Sequence, residues 1–231
     1  MCAYKSLLID IDGVIVRDKL LMNHVNENCV KYVRSKMPEC KDPRAVNRIL
    51  YMTCGHTARG LHNNFGIDVS DFNEKVYDAK LMDHLCEVLS TFEFQEEAKY
   101  IHEWTKSGWK VTLFTNAPTI WAGTVARAIS DEVYIRAGPD NVMTGSLKPD
   151  ATAYADFSKT YTNIFVDDSL KNLATTRWMP NWHPVHFSQE PAEPRAWCPT
   201  VGSLWELGLF LESVESSERS HSRDSSSGRS V

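Results

Sequence analysis

Two aspartates stand two residues apart in the segment LLIDIDGVIV, at the end of an apolar run. Asp10 and Asp12 carry like charges that repel at this distance, and Gly13 permits a tight turn beside them. A divalent cation with oxygen ligands would neutralise the repulsion. Taken alone, the pair fits equally well an Asp-Gly turn whose carboxylates face solvent. The residues that follow the other apolar runs decide between these interpretations.

Further polar side chains follow later apolar runs in the same way. Thr115 and Asn116 end the segment LFTNA, Asp167 and Asp168 end FVDD, and Lys148 lies between them in SLKPD. Each has an ordinary alternative explanation, as a helix cap or a solvated surface lysine. Ligands bind at the carboxyl ends of parallel strands. The joint arrangement therefore predicts that all these groups, with the first aspartate pair, converge at one edge of a sheet.

The segments that must position these residues alternate between strands and helices. Continuous apolar runs predict strands at 6–11, 110–115, 162–166, 184–187 and, more weakly, 132–136. Helical periodicity covers 94–108, 120–129 and 169–179. Alternation of this kind predicts an α/β fold with a parallel sheet and helices on both faces.

Two stretches depart from this alternation. Residues 18–91 show helical periodicity without a convincing strand, which predicts an all-helical insertion after the first strand. Residues 214–231 are rich in Ser and Arg, which predicts a disordered tail. RNA binding or phosphorylation is an alternative reading of the tail, although a solvated tail without such a role is favoured. The predicted core is thus 1–17 with 92–213.

Composition excludes several classes of function. The chain has 231 residues and a formal net charge of −5, so it lacks the basic surface of a nucleic-acid-binding protein. It holds no apolar run long enough to span a membrane, and its first residues are interpreted as a strand rather than a secretory signal. Six scattered cysteines without a C-x-x-C pair predict reduced thiols in a cytoplasmic protein. No oligomeric state is predicted.

The motifs together resemble those of the haloacid dehalogenase superfamily of phosphohydrolases. DIDGV is similar to its first motif, LFTNA to the second, LKPD to the lysine motif and FVDDSLKN to the acidic fourth motif. They run from Asp10 to Asn172, which is most of the predicted ordered chain. The resemblance implies a Rossmann-like three-layer core and identifies the helical insertion as a cap.

The resemblance also implies roles for these residues. Asp10 would attack phosphorus and form an aspartyl-phosphate, while Asp12 would act as general acid and base. Thr115 and the backbone N–H of Asn116 would hold the transferring phosphoryl group, and Lys148 would offset its charge. The second acidic residue distinguishes phosphatases from dehalogenases, because an alkoxide needs a proton on leaving and a halide does not.

Mg²⁺ is the implied cofactor. Its ligands would be the Asp10 carboxylate, the backbone carbonyl of Asp12, and Asp168, with Asp167 in or near the coordination sphere. The metal would let an anionic nucleophile approach an anionic substrate.

A cap favours a small phosphorylated metabolite as substrate, since it closes over the site and excludes water. Residues 51–78 are similar to a pattern of fungal and bacterial pyrimidine 5′-nucleotidases, although CGHTARGL stands where YGTTLRGL is usual and DIDGVIV replaces DLDNTLY. His56, Thr57 and Arg59 in this segment are candidate substrate contacts. The alternative is that the segment is only a turn between cap helices.

The sequence thus predicts a Mg²⁺-dependent phosphatase that hydrolyses a small phosphomonoester, with a nucleoside 5′-monophosphate as one candidate. Two alternatives stay open. One is an enzyme for a sugar phosphate or a phosphoglycolate-like acid. The other is a non-catalytic phosphate-binding or scaffold protein on the same fold. Neither a nucleic acid nor a membrane is an expected partner.

Overall fold

The computed structural model describes residues 5–138, 146–157, 161–193 and 195–224. Six parallel strands form one sheet in the order β3-β2-β1-β4-β5-β6, so the first strand is central. The strands are β1 (Lys5–Ile9), β2 (Lys110–Phe114), β3 (Tyr134–Arg136), β4 (Thr162–Asp167), β5 (Trp182–Phe187) and β6 (Thr200–Val201). This arrangement confirms the predicted α/β fold with a parallel sheet.

Ten helices lie in the described part of the chain. Five follow β1 directly: α1 (Lys19–Lys36), α2 (Pro43–Cys54), α3 (Thr57–Phe65), α4 (Val69–Val76) and α5 (Ala79–Leu89). The others connect or follow the later strands: α6 (Phe92–Lys106), α7 (Thr119–Ile129), α8 (Ala151–Tyr154), α9 (Leu170–Thr176) and α10 (Leu204–Asp224). The first five helices form the predicted all-helical insertion, and we call them the cap.

Strand β1 is buried on both faces of the sheet. Leu7 and Ile9 pack on one face in a cluster that includes Trp121, while Leu8 packs on the other face against Phe165. Leu7, Leu8 and Ile9 are all fully buried. A strand covered by helices on both sides reads as a continuous apolar run, which is the pattern that predicted it.

The cap helices begin where aspartates can cap them. The side chains of Asp18, Asp42, Asp68 and Asp78 accept hydrogen bonds from backbone N–H groups at the starts of α1, α2, α4 and α5. The cap has a small apolar core of its own, in which Phe72 is almost completely buried. Local capping and this separate core explain why residues 18–91 showed helical periodicity alone.

Several boundaries differ from the prediction. Strand β5 begins at Trp182 rather than at 184, and α6 begins at Phe92 rather than at 94. The helix starts early because the hydroxyl of Thr91 accepts a hydrogen bond from the N–H of Phe94 (3.3 Å). Strand β6 was not predicted, because two paired residues leave no periodic pattern.

The predicted disordered tail needs a correction. Helix α10 continues from Leu204 to Asp224, through the first part of residues 214–231. Glu215 holds this extension to the core, since its carboxylate accepts a hydrogen bond from Nε1 of Trp109 (3.1 Å) and pairs with Lys5 (3.2 Å). The prediction for 225–231 falls outside the described residues.

Among the described helices, none combines the length and apolarity that crossing a membrane requires.

Candidate active site

The turn after β1 brings the first aspartate pair to the edge of the sheet. The N–H of Asp10 donates to the carbonyl of Val166 on β4 (2.9 Å), and the chain then turns at Gly13 with a φ of 88°. A Cβ on Gly13 would lie 2.3 Å from Oδ2 of Asp168. This position therefore needs glycine twice, for its backbone conformation and for the close approach of a carboxylate.

Lys148 lies at the centre of the site and is almost completely buried, so it is not a solvated surface lysine. Its Nζ donates to the carbonyl of Phe114 (2.6 Å) and to Oδ2 of Asp167 (2.7 Å), and lies 3.0 Å from Oδ1 of Asp10. Burial opposes the charge of this ammonium, but the two carboxylates outweigh it and raise the pKa of Lys148. The lysine thus joins the ends of β1, β2 and β4.

The carboxylates of the DIDG turn are in different surroundings. Asp10 is buried, and burial raises its pKa well above the usual value although Lys148 acts in the opposite direction. Oδ1 of Asp12 accepts a hydrogen bond from Nε1 of Trp121 on α7 (3.0 Å). Burial raises the pKa of Asp12 to about 6, and the Trp121 hydrogen bond partly opposes this rise. The second aspartate can therefore hold or release a proton near neutral pH.

The two aspartates that follow β4 also differ. Asp167 is fully buried, and its oxygens accept hydrogen bonds from Lys148, the N–H of Ser169 (2.8 Å) and the amide of Asn172 (3.0 and 3.1 Å). Asp168 is more exposed. Partial burial and the charge of Asp167 raise its pKa to about 6. Asp167 therefore holds Lys148 in position, and Asp168 is the more accessible of the two carboxylates.

The carboxylates fit a hard divalent cation. One oxygen each from Asp10, Asp167 and Asp168 lies within 4.8 Å of the others. Carboxylate oxygens are the ligands that Mg²⁺ prefers, and a cation there would offset both the burial and the like charges that raise the pKa values of Asp10 and Asp168. The side chain of Asp12 is not part of this group, because it is turned toward Trp121. A contribution from its backbone carbonyl stays a prediction.

Thr115 and Asn116 follow β2 and line the cavity over the site. The Thr115 hydroxyl accepts a hydrogen bond from the N–H of Ala117 (3.0 Å). The Asn116 side chain bonds the backbone of Lys148 in both directions, from its Nδ2 to the carbonyl (2.9 Å) and from the lysine N–H to its Oδ1 (2.9 Å). The side-chain amide of Asn116 therefore holds the loop that contains Lys148, which we call the lysine loop. Only the backbone of Asn116 is left to bind a phosphoryl group.

A cavity of about 650 Å³ lies between these groups and the cap. Two of the three candidate substrate contacts, His56 and Thr57, line it. The Thr57 hydroxyl donates to Oδ1 of Asn47 (2.8 Å), and His56 caps α3 through the N–H of Ala58 (3.2 Å). Burial and the charge of Arg59 lower the pKa of His56 to about 4, so its ring is neutral at pH 7.

Arg59 does not line this cavity. Its guanidinium pairs with the carboxylate of Asp150, two residues after Lys148. Nearby, a Cβ on Gly55 would lie 3.4 Å from the carbonyl of Lys148. The cap therefore touches the core at the lysine loop.

Several residues that shape the site were not among the sequence predictions. Trp121 orients Asp12, and Asn172 holds Asp167. The cap wall adds further side chains to the cavity: Asn26, Arg44, Asn47, Arg48, Tyr51, Phe72 and Tyr77. Asn172 stood within the quoted acidic motif, and Arg44, Arg48 and Tyr51 follow the spacing of one helix face. The Trp121 contact joins residues 109 positions apart, so no local pattern announces it.

Comparison with known proteins identifies the fold. No protein-family model and no curated protein sequence matches the chain. A HAD phosphatase from Thermococcus onnurineus is 16% identical, over 90% of this chain and 97% of that one, with a TM-score of 0.58. A haloacid dehalogenase-like family hydrolase from Xanthomonas campestris is 12% identical over 93% and 97%, with a TM-score of 0.51.

A third similar structure is the HAD-hydrolase YfnB from Bacillus subtilis, which was solved bound to magnesium. It is 11% identical over 91% of this chain and 99% of that one, with a TM-score of 0.53. At these identities the likeness concerns the fold: the chain has the haloacid dehalogenase (HAD) fold, with a Rossmann-like core and a helical cap.

Proposed function

We propose that this protein is a Mg²⁺-dependent phosphatase that hydrolyses a small phosphomonoester through an aspartyl-phosphate. The observation that carries the proposal is the buried contact of Lys148 with both Asp10 and Asp167, at the carboxyl ends of the central strands. A buried ammonium beside a buried carboxylate at the floor of a cavity suits a reaction in which both reactants are anions. The HAD fold is the second support.

Asp10 is the proposed nucleophile. Its N–H is fixed to Val166, and its Oδ1 accepts a hydrogen bond from the N–H of Ile11 (2.7 Å), so the second oxygen is left to attack phosphorus. Attack splits one displacement into two steps, formation and hydrolysis of the aspartyl-phosphate. Lys148 offsets charge on the phosphoryl oxygens, and Thr115 with the Asn116 backbone holds them.

Asp12 is the proposed general acid and base. It would donate its proton to the leaving alkoxide in the first step and take a proton from water in the second. Its Oδ1 accepts a hydrogen bond from Trp121, and its side chain is not part of the cluster that the other aspartates form. A pKa of about 6 allows both roles near neutral pH.

Asp10 and Asp168 would hold the metal, with Asp167 close by. When bound, Mg²⁺ supplies charge neutralisation and orientation of the phosphoryl oxygens.

A cytoplasmic location is part of the proposal, supported by scattered cysteines without a C-x-x-C pair.

Hydrolysis of para-nitrophenyl phosphate tests the activity. We expect turnover with Mg²⁺ that is lost on chelation and in the Asp10→Asn variant. Asn keeps the shape of the side chain but is a poor nucleophile, so this variant is a matched control for folding. Hydrolysis that persists in Asp10→Asn would contradict the mechanism. Phosphate binding without turnover in the wild type would favour the non-catalytic alternative.

The substrate class is proposed from the cavity. Its volume of about 650 Å³ suits a metabolite and not a folded protein, because cap helices cover it. A nucleoside 5′-monophosphate is one candidate, and a sugar phosphate is the second. A panel of phosphomonoesters with Mg²⁺ separates them, and a lack of turnover for every nucleotide would remove the first candidate.

A further inference from the structure

The two walls of the cavity carry opposite charges. The core wall contributes the carboxylates of Asp10, Asp12 and Asp168 together with Lys148. Among the described cap residues that line the cavity there are two arginines, Arg44 and Arg48, and no carboxylate. The cap wall is therefore suited to bind an anionic group. This would be a group other than the phosphoryl group, because Lys148 at the opposite wall is proposed to bind the phosphoryl group.

The two arginines differ in their pairing. Arg44 donates to Oε1 of Glu27 (2.7 Å), so its charge is balanced within the cap. Arg48 makes no hydrogen bond or ion pair with any residue that the structure describes. A guanidinium presents a planar fork of donors that matches a carboxylate or a phosphate in a bidentate contact. Arg48 is thus the cation of the cap wall whose charge and donors have no partner among the described residues.

The direction of α2 sets the distance between the two ends of the cavity. Gly55, at the end of this helix, lies against the carbonyl of Lys148. Burial and, after it, the charges of the site carboxylates raise the pKa of Tyr51, so this side chain lies near the site. With a rise of 1.5 Å per residue, Arg48 lies about 10 Å along the helix axis from Gly55, on the same helix face. This distance between backbone positions is of the order of the length of a five- or six-carbon sugar phosphate.

We infer that the substrate carries a second anionic group, a carboxylate or a phosphate, at the far end of a sugar-sized leaving group, and that Arg48 binds it. This inference rests on the proposed phosphatase function. A compact acid of the phosphoglycolate kind fits this span poorly, because only one methylene group separates its ester oxygen from its carboxylate. A nucleoside monophosphate with a single phosphate leaves the arginine without an anionic partner.

Affinity measurements on the Asp10→Asn chain with Mg²⁺ test the inference, because the probes then stay intact. Two matched pairs of probes differ only in the distal group: sorbitol 6-phosphate against 6-phosphogluconate, and glucose 6-phosphate against glucose 1,6-bisphosphate. We expect the anionic member of at least one pair to bind at least tenfold more tightly by calorimetry. The pair that shows the preference identifies carboxylate or phosphate.

Arg48→Met in the same background should reduce that preference to less than threefold. Arg34→Met is the control, since Arg34 is an exposed cap residue outside the cavity wall and its loss changes the net charge equally. A preference near one in both pairs overturns the inference, and so does a preference that survives Arg48→Met. Because affinity is the readout, this result is independent of turnover, whereas failure to hydrolyse para-nitrophenyl phosphate overturns the proposed function alone.

Discussion

The core wall and the cap wall of the cavity are held in different ways. On the core side the two central groups have several partners: Lys148 contacts three oxygens and Asp167 accepts from three donors. On the cap side Thr57 and His56 each have one hydrogen-bond partner, and Arg48 has none among the described residues. The difference indicates that the groups proposed for the chemistry are fixed by a rigid network, while those proposed for recognition can change without disturbing it.

Loss of the central lysine should have the largest effect on this network. Lys148→Met leaves Asp10 and Asp167 buried without their common counterion, so at pH 8 without Mg²⁺ we expect a loss of about 3–5 kcal/mol in the free energy of unfolding. The loss should be smaller at pH 5, where the raised pKa of Asp10 allows protonation. Urea unfolding measures both values. Lys171→Met, at an exposed lysine of α9, is the control and should cost less than about 0.5 kcal/mol.

Replacement of the proposed acid tests whether the core wall separates metal binding from proton transfer. Asp12→Asn should lower turnover of an alkyl phosphate about 10²-fold or more, because the leaving alkoxide loses its proton donor. Mg²⁺ affinity should change little, since the Asp12 side chain is outside the carboxylate cluster. Trp121→Phe is the milder variant. It removes a hydrogen bond that lowers the pKa of Asp12, so the limb of the pH–rate profile that reports Asp12 should move to higher pH. Undiminished turnover in Asp12→Asn would remove this role.

On the cap side, His56 should make stability depend on pH. Its pKa is lowered to about 4 in the fold and is about 6.5 in an unfolded chain. The unfolded state therefore binds the proton first, so stability is complete above pH 6.5 and is lost as the pH falls toward 4. In His56→Asn the side chain still accepts the capping hydrogen bond. Between pH 6.5 and pH 4, the free energy of unfolding of this variant should fall by about 1–2 kcal/mol less than that of the wild type. Parallel stability curves for the two proteins would contradict the prediction.

The smallest effect should come from the contact between Arg59 of the cap and Asp150 of the core. Arg59→Met removes the ion pair with Asp150, which is partly exposed, so we expect a roughly fivefold rise in KM with little change in kcat. The charge-reversed double variant, Arg59→Asp with Asp150→Arg, should recover most of the lost affinity. If the double variant is as weak as the single one, the arginine acts through something other than this pair.

The core side was also the more predictable of the two. Parallel strands buried on both faces leave continuous apolar runs, and their ends fix where Asp10, Thr115 and Asp167 must lie. The sequence did not show how differently Asp167 and Asp168 are buried, because their burial depends on Lys148 and Asn172. The roles proposed for these residues remain predictions.

The cap wall was less predictable because its cavity arises from the packing of separate helices. Arg59 looked like a substrate contact in the sequence, yet its partner is a core aspartate 91 positions away. Nothing in the sequence marks Arg48 and Tyr51 as lining residues, because a polar helix face is usually solvated. Helical periodicity identifies which residues share a face, but not what that face meets.

The contact between Gly13 and Asp168 matters for anyone who explores this protein by saturation mutagenesis. Position 13 has no functional group, yet any added atom would displace a carboxylate of the site. A scan for activity should therefore reject substitutions at Gly13 as strictly as those at Asp10. A ranking by mutational tolerance alone would count the glycine among the reacting groups, although what it contributes is empty space.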